Sequence, residues 1–282
     1  GVSSIGTFTA TNTTNSPIVA TITVTPRTND GLTCIGDDIT FTITVNPTPT
    51  VDAVSDQELC NGANTNAINF TGDVSGTVFS WTNDETSIGL AASGTGDISA
   101  FVAVNNGTEP VVATIEVTPL YTNEGLECEG SSETFTITVN PTPAVTSAST
   151  KTICDNTDVD YDITSNVTGT TFTWTASVTL APTGGTITGF GDCSGSCGST
   201  ITQTLDNTGT SPGEVTYVIT PTGPSPTECE GDPFNLVVTV QPYPDVIATP
   251  SSETICNGSS TNIDLSTNIT DETVTYTWTA VN

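Results

Sequence analysis

The chain contains no histidine and no methionine, and it has two cationic side chains, Arg27 and Lys151, against 31 acidic ones. Without histidine, neither a Ser–His nor a Cys–His nucleophilic pair can form, and a Cys/His zinc site is excluded. With so little positive charge there is no cationic footprint for nucleic acid or for an anionic membrane surface. Charged residues make up only 12% of the chain, against about a quarter in an average protein. Thr, Ser and Asn do the solvating instead. The formal charge of −29 reads as solubility and self-repulsion, screened beyond about 8 Å at physiological salt. The sharper alternative is binding of Ca²⁺ or a cationic partner. No signal-peptide pattern, lipidation motif or transmembrane run stands in these residues. Asp-Thr-Gly and Asp-Ser-Gly are missing, as is a Gly-rich phosphate loop, and no carboxylate pair is singled out for glycoside hydrolysis. The expectation is a protein that is not an enzyme.

What is present is a repeat. Phe41-Thr-Ile-Thr-Val-Asn-Pro-Thr-Pro49 returns as Phe135-Thr-Ile-Thr-Val-Asn-Pro-Thr-Pro143, and in drifted form as Phe234-Asn-Leu-Val-Val-Thr-Val-Gln-Pro-Tyr-Pro244. Cys34, Cys128 and Cys229 each begin a Cys-x-Gly. Cys60, Cys154 and Cys256 each follow an aliphatic residue, 94 and 102 positions apart. A period of about 95 residues is the size of one small domain, so the chain is an array of one module. Proline fixes φ and withholds a ladder donor, which places the boundaries at the Pro-x-Pro joints. The expected domains are the C-terminal part of a repeat (1–49), a complete repeat (50–143), a second complete repeat with a Cys193/Cys197 loop insertion (144–244) and the N-terminal part of a further one (245–282). The sequence then reads either as a window on a longer chain or as a subunit whose two partial repeats complete each other between neighbours.

Within each repeat, Thr or Ser alternates with β-branched and aromatic residues, as in Thr40-Phe-Thr-Ile-Thr-Val45. Such alternation means strands with one buried face, and no helical spacing persists. The second repeat reads as seven strands near 51–59, 66–71, 77–82, 86–91, 97–105, 111–118 and 133–140. That is the strand count of an immunoglobulin-like sandwich, with Trp81, Trp174 and Trp278 as core residues on the third strand. The fold class expected is all-β, tandem immunoglobulin-like sandwiches in an extended rod, each adding about 40 Å.

The cysteines point to disulfides in an oxidising compartment. Cys193-Ser-Gly-Ser-Cys197 reads as a small stapled loop. For the remainder, counting suggests Cys60 with Cys128 and Cys154 with Cys229. A strand of eight residues rises about 26 Å, however, and a disulfide needs Cα atoms within about 7 Å. Cys60 at the bottom of one repeat and Cys128 at its top are poorly placed to meet. A staple between repeats, Cys60 with Cys229, is the favoured reading.

The densest acidic cluster is Asp155, Asp158, Asp160 and Asp162. Oxygen ligands there could hold Ca²⁺. Because Asp158, Asp160 and Asp162 alternate with Val159, Tyr161 and Ile163, the favoured reading is the wet face of a strand, and no cofactor is expected. Glycosylation sequons stand at Asn12, Asn106, Asn166, Asn257 and Asn268.

Thr254-Ile-Cys-Asn-Gly258, Tyr276-Thr-Trp-Thr279, Gly213-Glu-Val-Thr-Tyr-Val-Ile-Thr-Pro-Thr222 and Cys229-Glu-Gly-Asp-Pro-Phe-Asn-Leu-Val-Val-Thr-Val-Gln-Pro242 resemble the PKD-like, immunoglobulin-like repeats of giant secreted Bacteroidota surface proteins. These include gliding-motility adhesins and substrates of the type IX secretion system. The Trp-x-Phe-Gly-Asp-Gly signature of PKD domains proper is absent, since Trp81 is followed by Thr82-Asn83-Asp84. The resemblance implies a structural or adhesive segment of a cell-surface or extracellular filament. It implies no catalytic residues. Expected partners are neighbouring repeats, other copies of the fibre and a surface glycan or protein ligand. No nucleic acid and no direct membrane contact are expected. The alternatives are passive spacer repeats of a large secreted enzyme, or a glycan- or protein-binding module.

Overall fold

The computed structural model describes residues 4–28, 30–195 and 197–281. Those residues form an all-β chain whose only helical segment is a single 3₁₀ turn at Thr86–Ile88. They group into two compact units, Gly1–Asn106 with Pro110–Asn140, and Gly107–Glu109 with Pro141–Asn282.

In the first unit, β1 (Ile18–Val24) and β2 (Ile39–Val45) form an antiparallel hairpin with Ile18 opposite Val45 and Val24 opposite Ile39. The complete repeat that follows contains β3 (Gln57–Cys60), β4 (Val78–Asn83), β5 (Ser93–Thr95), β6 (Val111–Asn123), β7 (Leu126–Glu129) and β8 (Glu133–Asn140). The sheet order is β3-β8-β6-β4-β5, and β7 returns on the far half of β6. The β6–β7 turn falls at Glu124 and Gly125, which both take positive φ, as a twisted hairpin requires. Alternation buries Ala113, Ile115 and Val117 of β6 and Phe135, Ile137 and Val139 of β8 against Ile68, Ile88, Ile98 and Trp81.

The second unit contains β9 (Thr150–Cys154), β10 (Thr157–Asp158), β11 (Tyr161–Asp162), β12 (Thr171–Leu180), β13 (Ile187–Thr188), β14 (Thr200–Ile201), β15 (Thr204–Asn207), β16 (Gly213–Thr222) and β17 (Phe234–Gln241), then β18 (Ile247–Thr249) and β19 (Asp264–Ser266) of the last partial repeat. The main sheet runs β12-β16-β17-β9, with β9 parallel to β17 as β3 is to β8. Short ladders β10-β15-β13 and β11-β14 oppose it. Val159, Ile201 and Leu205 from that layer meet Tyr217, Ile219, Leu236 and Val238 in the core.

Several strand expectations change. The first strand is ordered as a ladder only over Gln57–Cys60, because Asp56 replaces a backbone acceptor: its Oδ1 takes the Thr136 N–H at 2.6 Å. Residues 66–71 and 97–105 approach each other through one isolated bridge, Ile68 with Ile98, and Asn64, just before the first of them, bridges Val102. Residues 86–91 are not a strand. Glu85 caps the Ser87 N–H, Gly89 turns the chain at φ 96°, and Ile88 enters the core from the 3₁₀ turn.

Trp81 and Trp174 are core residues, 8% and 6% exposed, but Trp278 is 81% exposed. The residues that cover Trp81 include Gly94, which lies under its ring. Phe41 is 38% exposed and its repeat equivalent Phe135 2%.

The repeat joint as candidate functional site

Within each joint the prolines Pro47, Pro49, Pro141 and Pro143 are buried. Proline brings no N–H that burial would leave unpaired. The carbonyl oxygen of Pro49 lies 1.9 Å from where a Cβ on Gly130 would stand, and that of Pro143 lies 1.9 Å from the same place on Gly231. From the other side, the rings of Pro119 and Pro221 close to 2.9 Å. Gly130 N–H donates to Pro119 O at 3.0 Å, and Gly231 N–H to Pro221 O at 2.9 Å. The glycine of Cys-x-Gly is therefore required by space. It is the floor on which the preceding joint rests. Gly36 has the matching bond to Pro26 O, and no joint carbonyl lies over it. Asn123 Nδ2 also donates to Asn46 Oδ1 at 2.8 Å, tying the residue before Pro47 to the β6–β7 hairpin.

The leaving end of each last strand is held by an asparagine. Asn105 Nδ2 donates to Val139 O at 2.7 Å, Asn207 Nδ2 to Val240 O at 2.8 Å, and Asn12 Nδ2 to Val45 O at 2.8 Å. Asn105 and Asn207 are buried. The backbone N–H of each is capped in turn, by Asn61 Oδ1 at 2.9 Å and by Asp155 Oδ1 at 2.6 Å. Sequence reasoning noted Asn12 only as a sequon and missed Asn105 and Asn207. The signal was there, an Asn at matching places in three repeats, but it is submerged in an Asn-rich composition.

Both classes of repeated cysteine flank these joints. Cys60 pairs in register with Asn140, the residue before Pro141, and Cys154 with Gln241, the residue before Pro242. Cys128 and Cys229 stand two residues before the floor glycines. The Cys193–Cys197 disulfide is formed, with Cα atoms 5.7 Å apart. Cys60 and Cys229 are each disulfide-bonded. Cys128 and Cys154, expected as disulfide candidates, are free, as are Cys34 and Cys256. The pairing of Cys60 with Cys128 suggested by counting is thereby corrected: Cys60 lies beside the last residue of β8, whereas Cys128 lies opposite Tyr121 on the hairpin before β8 begins.

The acidic cluster does not converge. Asp155 caps Asn207 N–H, Asp158 accepts from Thr204 Oγ1, Asp162 accepts from Thr200 Oγ1 at 2.8 Å, and the backbone carbonyl of Asp160 receives Lys151 Nζ. Among the described residues no group of three or more Cys, Asp or Glu side chains is placed to hold a metal ion. Other carboxylates behave similarly. Asp84 Oδ1 accepts Thr114 N–H at 2.6 Å and Asp192 Oδ1 accepts Ala176 N–H at 2.8 Å. Much of the acidity thus finishes strand edges, supplying acceptors where a partner strand is missing. Hydrogen bonds from Thr267 and Asn268 hold Asp245 below the usual carboxylate range, the Ser87 N–H does the same for Glu85, and burial pushes the Tyr217 phenol up.

Two successive β-sandwiches with buried joints define a tandem-repeat, immunoglobulin-like protein. The model of the PKD-like domain family matches residues 57–143 and 151–244, and the chain belongs to that family. No curated protein matches it. Solved structures similar to it include a two-domain fragment, DIP-gamma IG1+IG2, at 8% identity over 70% of this chain and 98% of that one, with a TM-score of 0.37. The I67–I69 fragment of titin is similar at 10% identity over 70% of this chain and 66% of that one, with a TM-score of 0.38. A SusE-like surface-located polysaccharide-binding protein of Bacteroides thetaiotaomicron is similar at 14% identity over 74% of this chain and 38% of that one, with a TM-score of 0.27. No helix among the described residues is long and apolar enough to cross a membrane.

Proposed function

We propose that the chain is a structural, adhesive segment of a long cell-surface or extracellular filament in which each sandwich is a link. One observation carries this reading. The carbonyl of each Pro-Thr-Pro joint is seated on the floor glycine of the repeat that follows, Pro49 on Gly130 and Pro143 on Gly231. A segment meant only to tether domains loosely would be flexible and solvated. Domains of this kind are typically non-catalytic modules, and the chain offers no histidine for catalysis. With two basic residues it also presents almost nothing to a trypsin-like protease.

The same geometry supports a covalent staple at the 141–143 joint. The first-strand cysteine stands beside the residue that enters a joint, and the Cys-x-Gly cysteine stands two residues from the glycine that receives it. Cys60 with Cys229 is the pair this rule selects. The disulfides support an oxidising compartment, outside the cytoplasm, for the filament. The gliding-adhesin and type IX export context follows from the resemblance of the repeats. The filament's other copies and a surface glycan or protein ligand are the partners this role requires.

The test is immunogold electron microscopy of intact producing cells with an antibody against residues 50–244. Regular label along thin surface filaments is expected. Bare cells with label only on free secreted material would overturn the surface-filament reading.

A further inference from the structure

The edge beside the core tryptophan is built in both complete repeats, and the two differ. In the first, Trp81 stands opposite Gly94. Two residues on, Gly96 takes φ 72° and makes two bonds. Its N–H donates to Phe79 O at 2.8 Å, and its carbonyl accepts Trp81 Nε1–H at 3.1 Å. In the second repeat, Trp174 stands opposite Cys193, with backbone bonds of 3.0 and 2.8 Å between them. The same register puts Gly195 in the place of Gly96, opposite Phe172, and its φ is 87°. Neither bond of Gly96 recurs there. The Gly195 carbonyl instead accepts Cys197 N–H at 3.1 Å, inside the ring that the Cys193–Cys197 disulfide closes. Trp174 is 6% exposed, and its Nε1–H has no partner among the described residues.

A buried donor without an acceptor is costly, so the indole favours any state of this loop that offers one. The closed ring is what withholds it. The near end of the loop is pinned. Gln203 holds Gly191 through both amide atoms, at 2.9 and 2.8 Å, and Asp192 Oδ1 accepts Ala176 N–H at 2.8 Å. Movement is left to the segment from Cys193 onward. Accessibility selects the same disulfide for reduction. Cys193 and Cys197 are both half-buried, within reach of a small thiol, whereas the disulfide-bonded Cys229 is 4% exposed.

We propose that the Cys193–Cys197 disulfide is a redox switch on the edge of β12. Opening it frees the Gly195 carbonyl from Cys197 N–H to accept Trp174 Nε1–H, and Gly195 N–H donates to Phe172 O, as Gly96 does in the repeat before. Cys193 keeps the Cβ that Gly94 lacks, so the freed carbonyl moves to the indole rather than the indole to it. Opening takes two thiols of a reductant such as glutathione. A thiolate attacks one sulfur, the S–S bond breaks, and the other sulfur leaves and takes up a proton. A second thiolate then displaces the first from the mixed disulfide, so that two electrons pass to the protein and the reductant leaves as its own disulfide. Asp192, Cys193 and Ser194 also line a cleft of about 330 Å³ with Thr173, Thr175 and Thr220, and the switch reshapes that cleft.

The test uses the full-length chain with isotopically labelled tryptophan and reads the indole N–H resonances and their hydrogen exchange. Trp174 is assigned by the signal lost in Trp174→Phe. In the Cys193→Ser/Cys197→Ser double variant the Trp174 resonance should move downfield from its place in the oxidised parent. Its exchange should slow by at least about tenfold, and Trp81 should not shift. Cys193→Gly with Cys197→Ser, which copies the first repeat, should give the same result. An unmoved Trp174 resonance, or equal shifts at Trp81 and Trp174, would overturn the switch. Should both variants fail to fold, the parent in a glutathione redox series decides, with each cysteine's state read by alkylation and mass spectrometry. The Trp174 change should follow the appearance of the Cys193 and Cys197 thiols. No change when those thiols appear, or a change that follows reduction at Cys60 and Cys229, would overturn the proposal.

Discussion

The side-chain amide of Asn207 donates to the carbonyl of Val240 at 2.8 Å, across 33 positions of sequence, and fixes the end of β17 where the chain leaves for its joint. The bond recurs from Asn105 to Val139 and from Asn12 to Val45. Asn207 also reaches Ser211 O at 3.0 Å. Replacing Asn207 by Ala leaves two acceptors without this donor in a buried place, and each costs about 1–3 kcal/mol. Asn207→Ala should therefore destabilise its repeat by about 2–6 kcal/mol in urea unfolding. Asn207→Asp should cost more, because a carboxylate oxygen would face the Val240 carbonyl.

Glycine at the floor of the joint is a space requirement, and that makes a discriminating pair of variants. A Cβ at Gly231 would stand 1.9 Å from Pro143 O, a backbone atom that yields only if the joint moves. Gly231→Ala should lower stability by about 1–3 kcal/mol, as overpacking does, and should open the 141–143 segment to a broad-specificity protease. Gly36→Ala meets only the Pro26 ring, at 3.0 Å. It should stay within about 0.5 kcal/mol of the parent. Equal effects of the two substitutions would remove the joint carbonyl as the reason for the motif.

The strands that form one side of each sandwich were legible because Phe-Thr-Ile-Thr-Val reports its own burial: every second residue is apolar and the ladder partners are regular. β8 falls at Glu133–Asn140 as the alternation predicts. The opposing layer was not legible. There, side chains take over acceptor duty from the backbone, as Asp97 Oδ1 does for Phe70 N–H, so the chain is extended without a regular ladder and period two is lost. At the joint, Cys-x-Gly was visible as a repeat but its reason was not. The clash that forbids a side chain involves a proline carbonyl some 80 to 90 positions earlier. The asparagine clamp was hidden for a different reason: an isolated Asn in a Thr- and Asn-rich chain carries no periodicity to announce it.

Two carboxylates define an acid sensitivity local to their turns. Asp245 Oδ1 accepts from Thr267 Oγ1 at 2.6 Å and from Asn268 N–H at 2.9 Å, which holds its carboxyl below the ordinary range. Glu85 is lowered by the Ser87 N–H at 3.0 Å. A lowered folded-state value means that the stabilisation is complete above the unfolded-state value, about 4. It is lost as pH falls through the lower folded-state value. Amide shifts of Asn268 and Ser87 should therefore hold constant from pH 7 to about 5 and change below about 4. Asp245→Asn should remove the low-pH transition at Asn268 while leaving that at Ser87. An Asn268 transition above pH 5 would contradict the assignment.

Calcium is the remaining question for Asp155, Asp158, Asp160 and Asp162, and the geometry sets the expected answer. To bind a cation together, Asp155 would have to release Asn207 N–H, and Asp158 and Asp162 the hydroxyls of Thr204 and Thr200. Releasing Asp155 would also loosen the clamp on Val240, because Asn207 is held at both its backbone and its side chain. Binding only to the folded state at ten times the dissociation constant would add about 1.4 kcal/mol, a rise of several degrees in Tm for a domain of this size. The melting temperature in about 10 mM Ca²⁺ should instead match that in EDTA to within about a degree, which places any site weaker than millimolar. A rise of several degrees that Asp158→Asn together with Asp162→Asn abolishes would establish a calcium site and assign these carboxylates to it.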